Sequence, residues 1–317
     1  MMQRSAYALA GLVAALLVGV AACGVPAGDA GPGGPTHKQV GVVRVPGVEG
    51  RYALATFCLR DSGELLVCLR RAKQVRVLDP AGKQRATWNV PFLPQAICTG
   101  PEDSVYVGGG SQVAHLDKTG NVLKTLDLPV GKSRYQRVTA LSVAGKDLFV
   151  AFRNAGGYTV YRYGQDFSGG KRIVGKLRGC CGQLDVAAVA GKVYVADNCR
   201  HRVACYDTGG KLLKTWGRRD RTSLNGFGGC CNPMNVCIGP KGIIYTAESA
   251  GRIKRFSPEG KLLGLVAAVP GQSGCKHVKV AVTRDGGRVF MIDVGRSAIL
   301  VLGQGKAVAV ASAAAGR

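Results

Sequence analysis

Apolar residues in this chain fall into short runs rich in Val, Ile, Leu and Tyr, separated by polar turns that contain Gly. Alternation within such runs predicts half-buried β-strands, and no long window keeps the 3.6-residue period of an amphipathic helix. The runs recur in a fixed order. "GKVYVADNCRHRVACYDTGGKLLKTWG", residues 191–217, reads as turn, strand ending in Asp197, loop, strand, DTGG turn and strand. "KGIIYTAESAGRIKRFSPEGKLLGLV", residues 241–266, repeats that order with an SPEG turn. The same frame fits segments that begin at Gly63, Asp103, Lys146 and Gly287. Each frame follows one more alternating strand, such as "LDVAAV" or "MNVCIG". The pattern predicts six units of four short strands at a period of roughly 40 to 50 residues, which is the signature of a β-propeller.

"VYVADNCRHRVACYDTGGKLLKTWG" resembles an NHL repeat: strand, Asp, short polar loop, Arg-Val, strand, turn Gly, strand, Trp-Gly. The fourth unit matches that pattern most closely and the third least. The resemblance implies an all-β fold, a six-bladed propeller of four antiparallel strands per blade, over about residues 38–311. It implies no single activity, because relatives include scaffolds, ligand-binding domains, lactonases and an amidating lyase. Closing the ring removes exposed sheet edges. "KQVGVVRV" near the N-terminus is expected to supply the outer strand of the last blade, in competition with "KAVAVA" near the C-terminus.

The N-terminus reads as an export signal, with a positive start "MMQR" and the apolar core "SAYALAGLVAALLVGVAA". It ends in "VAAC", which resembles the lipobox of bacterial lipoproteins and makes Cys23 the expected lipidated residue. The expected organisation is a signal peptide over 1–22, a flexible tether over 23–37, the propeller over 38–311 and a tail over 312–317. The expected place is the periplasm or cell surface, anchored to a membrane, and the chain is expected to be a monomer.

Export permits disulfides. The sequence holds 12 cysteines, and Cys23 leaves an odd number for the fold. Placed on the repeat, Cys180, Cys181, Cys199, Cys230, Cys231 and Cys275 all fall in connections on one face of the propeller. Three readings stay open: disulfide staples between loops, a Cu(I) or Zn(II) site with His201 and His277, or a vicinal redox pair. Cys58, Cys98, Cys237, Cys68 and Cys205 are expected to be small core residues.

The formal charge is +24, from 43 basic against 19 acidic residues. On the repeat map many basic residues, Arg70, Arg137 and Lys276 among them, sit on the cysteine-bearing face, while acids gather in the opposite turns. That face is expected to attract an anionic glycan, a lipid head group or an acidic protein. Arg200, Arg202, Arg218, Arg219 and Arg252 are the candidate ligand-binding residues.

A propeller lactonase or lyase would hold a metal in its central channel. The equivalent positions here are Thr56, Ala96, Thr139, Asp185, Asn235 and Lys279. Only Asp185 and Asn235 suit Ca, which wants more oxygen ligands than two, and Lys279 would repel any cation. Asp197, Glu248 and Asp293 end their strands near the channel mouth, where each is expected to hold a neighbouring loop. No nucleophile elbow and no phosphate-binding Gly loop is present. The expectation is therefore an anion-binding propeller with no required cofactor, against the alternative of a metal-dependent hydrolase or lyase.

Overall fold

The computed structural model describes residues 34–129, 135–179 and 182–304. The expectations for Cys23, Cys180, Cys181 and the "KAVAVA" strand lie outside the described residues. The first strand, β1 (Lys38–Arg44), belongs to the last blade. Blade one comprises β2 (Leu54–Leu59), β3 (Leu65–Leu69), β4 (Gln74–Leu78) and β5 (Gln84–Asn89). Blade two comprises β6 (Ala96–Thr99), β7 (Val105–Gly109), β8 (Gln112–Leu116) and β9 (Val122–Asp127). Blade three comprises β10 (Arg137–Ala144), β11 (Asp147–Asn154), β12 (Gly157–Gly164) and β13 (Lys171–Leu177). Blade four comprises β14 (Asp185–Val189), β15 (Lys192–Asp197), β16 (Arg202–Asp207) and β17 (Leu212–Trp216). Blade five comprises β18 (Asn235–Ile238), β19 (Ile244–Ala247), β20 (Arg252–Phe256) and β21 (Leu262–Ala268). Blade six comprises β22 (Val280–Val282), β23 (Arg288–Asp293) and β24 (Ala298–Gly303), with β1 outside them in the order β1-β24-β23-β22.

All pairings are antiparallel, as the expected fold requires. Blade six closes the ring: Lys38 pairs with Gly303 and Arg44 with Ala298, so the first described strand finishes the sheet begun by the last. The core lies between blades rather than inside any one of them. Between blades six and one, Phe57, Leu65 and Val67 pack on Phe290, Ile299 and Val301. Burying each such side chain contributes about 1.5–3 kcal/mol, and no blade has a second face to bury without its neighbour.

Two devices repeat between blades. At Gly260, φ is +83° and a Cβ would lie 2.6 Å from the Trp216 ring of blade four; at Gly120, φ is +95° and a Cβ would lie 2.2 Å from the Trp88 ring of blade one. The turn glycine thus gives the preceding blade's outer tryptophan a flat floor. The acids of that face serve the turns themselves. Asp117 Oδ1 accepts from the Thr119 and Asn121 amides (2.8 and 2.9 Å), and Asp207 Oδ1 accepts from the Gly209 and Lys211 amides (2.9 and 2.8 Å).

Candidate functional site

The innermost strands of six blades surround the channel, and side chains at their upper ends close it. Asp185 opens β14, Asn235 opens β18 and Lys279 immediately precedes β22. Asn235 Nδ2 donates a short hydrogen bond to Asp185 Oδ2. The Val236 amide donates to the same oxygen at 3.1 Å, and the Val280 amide donates to Asn235 Oδ1 at 3.0 Å. Lys279 Nζ lies 3.4 Å from both Asp185 oxygens. Lys279 thus ties back to Asp185, while Asp185 and Asn235 each hook the next blade's backbone. In blade three the Thr139 hydroxyl does the same, donating to the Leu184 carbonyl at 2.7 Å. Burial is the largest influence on Lys279 and opposes its charge, but the Asp185 carboxylate, with Cys237 and Cys98 adding to it, holds the ammonium above the ordinary lysine range.

This arrangement bears directly on a hard metal in the channel. The ammonium of Lys279 takes the cation's place beside Asp185, and both carboxylate oxygens are already engaged. Two oxygen-bearing side chains are too few for Ca, which wants six to eight ligands. The residues present do not fit such an ion.

Below that belt the channel wall carries Cys58, Cys98 and Cys237 with Lys279 and Ser142. These three thiols are half-buried: each packs against an inter-blade core, as expected, and also faces the channel. Burial pushes Cys58 and Cys237 up to about 12. Cys68 and Cys205 are buried as expected.

Above the belt a cavity of about 300 Å³ opens at the channel mouth. Arg70, Arg137, Lys276, His277 and Gln183 line it, and among the described residues no carboxylate does. Arg70 comes from the loop after β3, Arg137 starts β10, and Lys276 and His277 come from the connection before β22. Among the described residues, no acid lies within ion-pair distance of Arg70, Arg137 or Lys276. One arginine nitrogen has a partner: Arg137 Nη2 donates to the Gly182 carbonyl at 2.7 Å. Gln183 is 8% exposed, and its Nε2 has no hydrogen-bond partner. Both ring nitrogens of His277 are covered and equally without a partner. Burial, then Lys279, Arg70 and Arg137, hold His277 down to about 3, so its ring is neutral at physiological pH. Burial lowers Arg70 and Arg137 as well, and like-charged neighbours add to it.

The arginines proposed from sequence are placed differently. Asp197, which is fully buried, accepts from Arg202 Nε at 2.9 Å and Arg200 Nη1 at 3.3 Å. Arg252 Nη2 donates to Glu248 at 3.0 Å and is itself 8% exposed. Arg218 pairs with Asp220 at 3.2 Å. Arg219 forms an isolated backbone bridge with Phe227. Four of these five cations already have a carboxylate of their own chain, so the strand-end acids hold neighbouring loops, as expected. Asp293 does so too, accepting from Gln272 Nε2 at 2.9 Å.

The described clustered thiols meet in part. The Sγ atoms of Cys230, Cys231 and Cys275 all lie within 4.8 Å of one another, with Cys231 and Cys275 3.7 Å apart. Neither His201 nor His277 joins that set. Thiolate donors of this kind suit Zn or Cu(I) rather than Ca. Cys199 is exposed in the short turn Asn198–Arg200, which His201 ends with a left-handed φ of 53°.

An NHL repeat model matches residues 184–206, the span of β14, β15 and the start of β16. The chain carries an NHL repeat. A search of curated proteins finds no sequence match. Solved propellers match the whole fold. A virginiamycin B lyase from Staphylococcus aureus is 11% identical with a TM-score of 0.57, over 84% of this chain and 99% of the lyase. A calcium-binding regucalcin from Agrobacterium tumefaciens is 14% identical with a TM-score of 0.59, over 83% and 95% of the two chains. A gluconolactonase from Xanthomonas campestris is 16% identical with a TM-score of 0.56, over 87% and 98%. At these identities the likeness is one of fold. The propeller therefore shares its frame with lyases and lactonases, while its own channel holds an Asp185–Lys279 pair.

Proposed function

We propose that this NHL-repeat propeller is an exported, lipid-anchored binding protein that captures an anionic partner at the mouth of its central channel. One observation carries the reading. Arg70, Arg137, Lys276 and the unpartnered Gln183 Nε2 converge on a cavity with no carboxylate in its wall among the described residues. Such a wall offers mainly donors, and its natural complement is an acceptor-rich oxyanion, which arginine grips in bidentate fashion. The reading moves the ligand site from Arg200, Arg202, Arg218 and Arg252, whose charges are met within the chain, to Arg70, Arg137 and Lys276, which have no acid within ion-pair distance among the described residues. A metal-dependent hydrolase reading finds less support, because Lys279 stands where the metal would.

Calorimetric titration with inorganic sulfate and with galacturonic acid tests the site. Arg70→Gln with Arg137→Gln should weaken binding at least tenfold, since each charge-assisted bond contributes about 1.5–3 kcal/mol, whereas Arg200→Gln with Arg202→Gln should leave it within twofold. Equal losses from the two pairs would discard the site. Anchoring rests on the "VAAC" motif alone. Cys23→Ser should convert a membrane-fractionating, lipid-bearing product into an uncleaved or soluble one; unchanged mass and fractionation would refute it.

A further inference from the structure

The mouth cavity does not end at the channel. A second cavity of about 500 Å³ shares Tyr52, Cys275 and Lys276 with it and is lined by the loop between β23 and β24 of blade six and by the connections before β22 and before β2. Its far wall carries Arg51 and Arg296. Asp293 also lines it; its carboxylate is engaged by Gln272 Nε2 at 2.9 Å, by the Arg296 amide at 3.2 Å and, at 3.7 Å, by the guanidinium of Arg296, which stays 61% exposed. Among the described residues Arg51 has no acid within ion-pair distance. Lys276 thus stands at the junction of two cationic compartments, one holding Arg70 and Arg137 and the other Arg51 and Arg296.

The wall between them is aromatic. Tyr52 is 44% exposed, and Arg51 stacks 5.5 Å from its ring centroid. Its backbone sits at a φ of 59°, a region costly for a bulky residue. The Tyr52 amide donates to the Val294 carbonyl at 2.8 Å, which ties this segment to the edge of blade six. The ring is therefore held out over the groove.

We propose that the two cavities form one groove for an acidic oligosaccharide, with one sugar carboxylate or sulfate at Arg70 and Arg137 and a second one, further along the same chain, at Arg51 and Arg296. The inference rests on the reading of the mouth as an anion site. The groove chemistry selects this class of polyanion. Gln183, Gln95 and Ser273 present neutral polar groups between the cations, which suit hydroxyl and ring oxygens. Tyr52 offers an apolar face for a sugar ring. A polyphosphate would leave the neutral groups and the ring without complements.

Calorimetry at low salt should be run with galacturonic acid, its linear tetramer and a polyphosphate of matching charge. The tetramer should bind at least tenfold more tightly than the monomer, beyond the roughly fourfold gained from its four equivalent residues. Arg296→Gln and, separately, Arg51→Gln should each lower tetramer affinity at least fivefold, and by a larger factor than they lower monomer affinity. Two exposed positions guard against one variant that fails to fold. Monomer and tetramer of equal affinity would overturn the extended groove and leave the mouth site standing. Polyphosphate binding as tight as the tetramer would overturn the sugar assignment. No binding of either sugar acid would overturn the mouth site itself.

Discussion

Lys279 decides what the channel can hold. Its ammonium meets a carboxylate that has been taken out of water, and the two compensate each other. Removing one partner of such a pair leaves an uncompensated buried charge, at a cost of about 3–5 kcal/mol. Lys279→Met should lower the unfolding free energy by that amount in urea titration, and adding Asp185→Asn should restore most of it. A single variant within about 1 kcal/mol of wild type would show that the pair is not the lock described. His277 sits two residues earlier, with Lys279, Arg70 and Arg137 bearing on it and Lys276 beside it in the cavity wall. Those cations and its burial hold its ring neutral. The sign of its effect on stability follows: its folded pKa lies below its unfolded value, so the unfolded chain takes up a proton first, and stability falls as pH drops from about 6.5 towards 3.

At the scale of strands and turns, much was legible before the fold was known. Short alternating runs, turn glycines and the recurring strand-end acids are local signals, and each blade is built from neighbours in sequence. The closing strand was legible only as a choice between "KQVGVVRV" and "KAVAVA", and the pairing of β1 with β24 places the first of them at the edge of blade six. The site was legible only as a face. Arg70 and Arg200 both follow the second strands of their blades. Asp197 stands three residues before Arg200, whereas Leu69 ends the strand before Arg70, a difference the sequence carried but whose meaning needed the cavity. Gln183 carried no signal, since its importance is an unmet hydrogen bond in a cavity that exists only after six blades close. The thiols of Cys58, Cys98 and Cys237 were readable as equivalent, but their inward direction depends on how far the innermost strands stand from the axis.

Across the whole molecule, ring closure separates two kinds of charge. Acids on one side are spent on turns, where Asp117 and Asp207 accept backbone amides. On the other side Arg70, Arg137 and Lys276 converge with no acid within ion-pair distance among the described residues. An oxyanion entering the mouth would offset the repulsion among Arg70, Arg137 and Lys276 and would stabilise the imidazolium of His277. The measurement that tests this most directly is the pH titration of the His277 ring by NMR, with and without saturating galacturonic acid. The account predicts a pKa near 3 in the unliganded protein and an upward move towards 6.5 with ligand, absent when Arg70 and Arg137 are both replaced by Gln. An unliganded His277 that titrates at 6.5, or a ring whose pKa is unmoved by an anion that calorimetry shows to be bound, would contradict it.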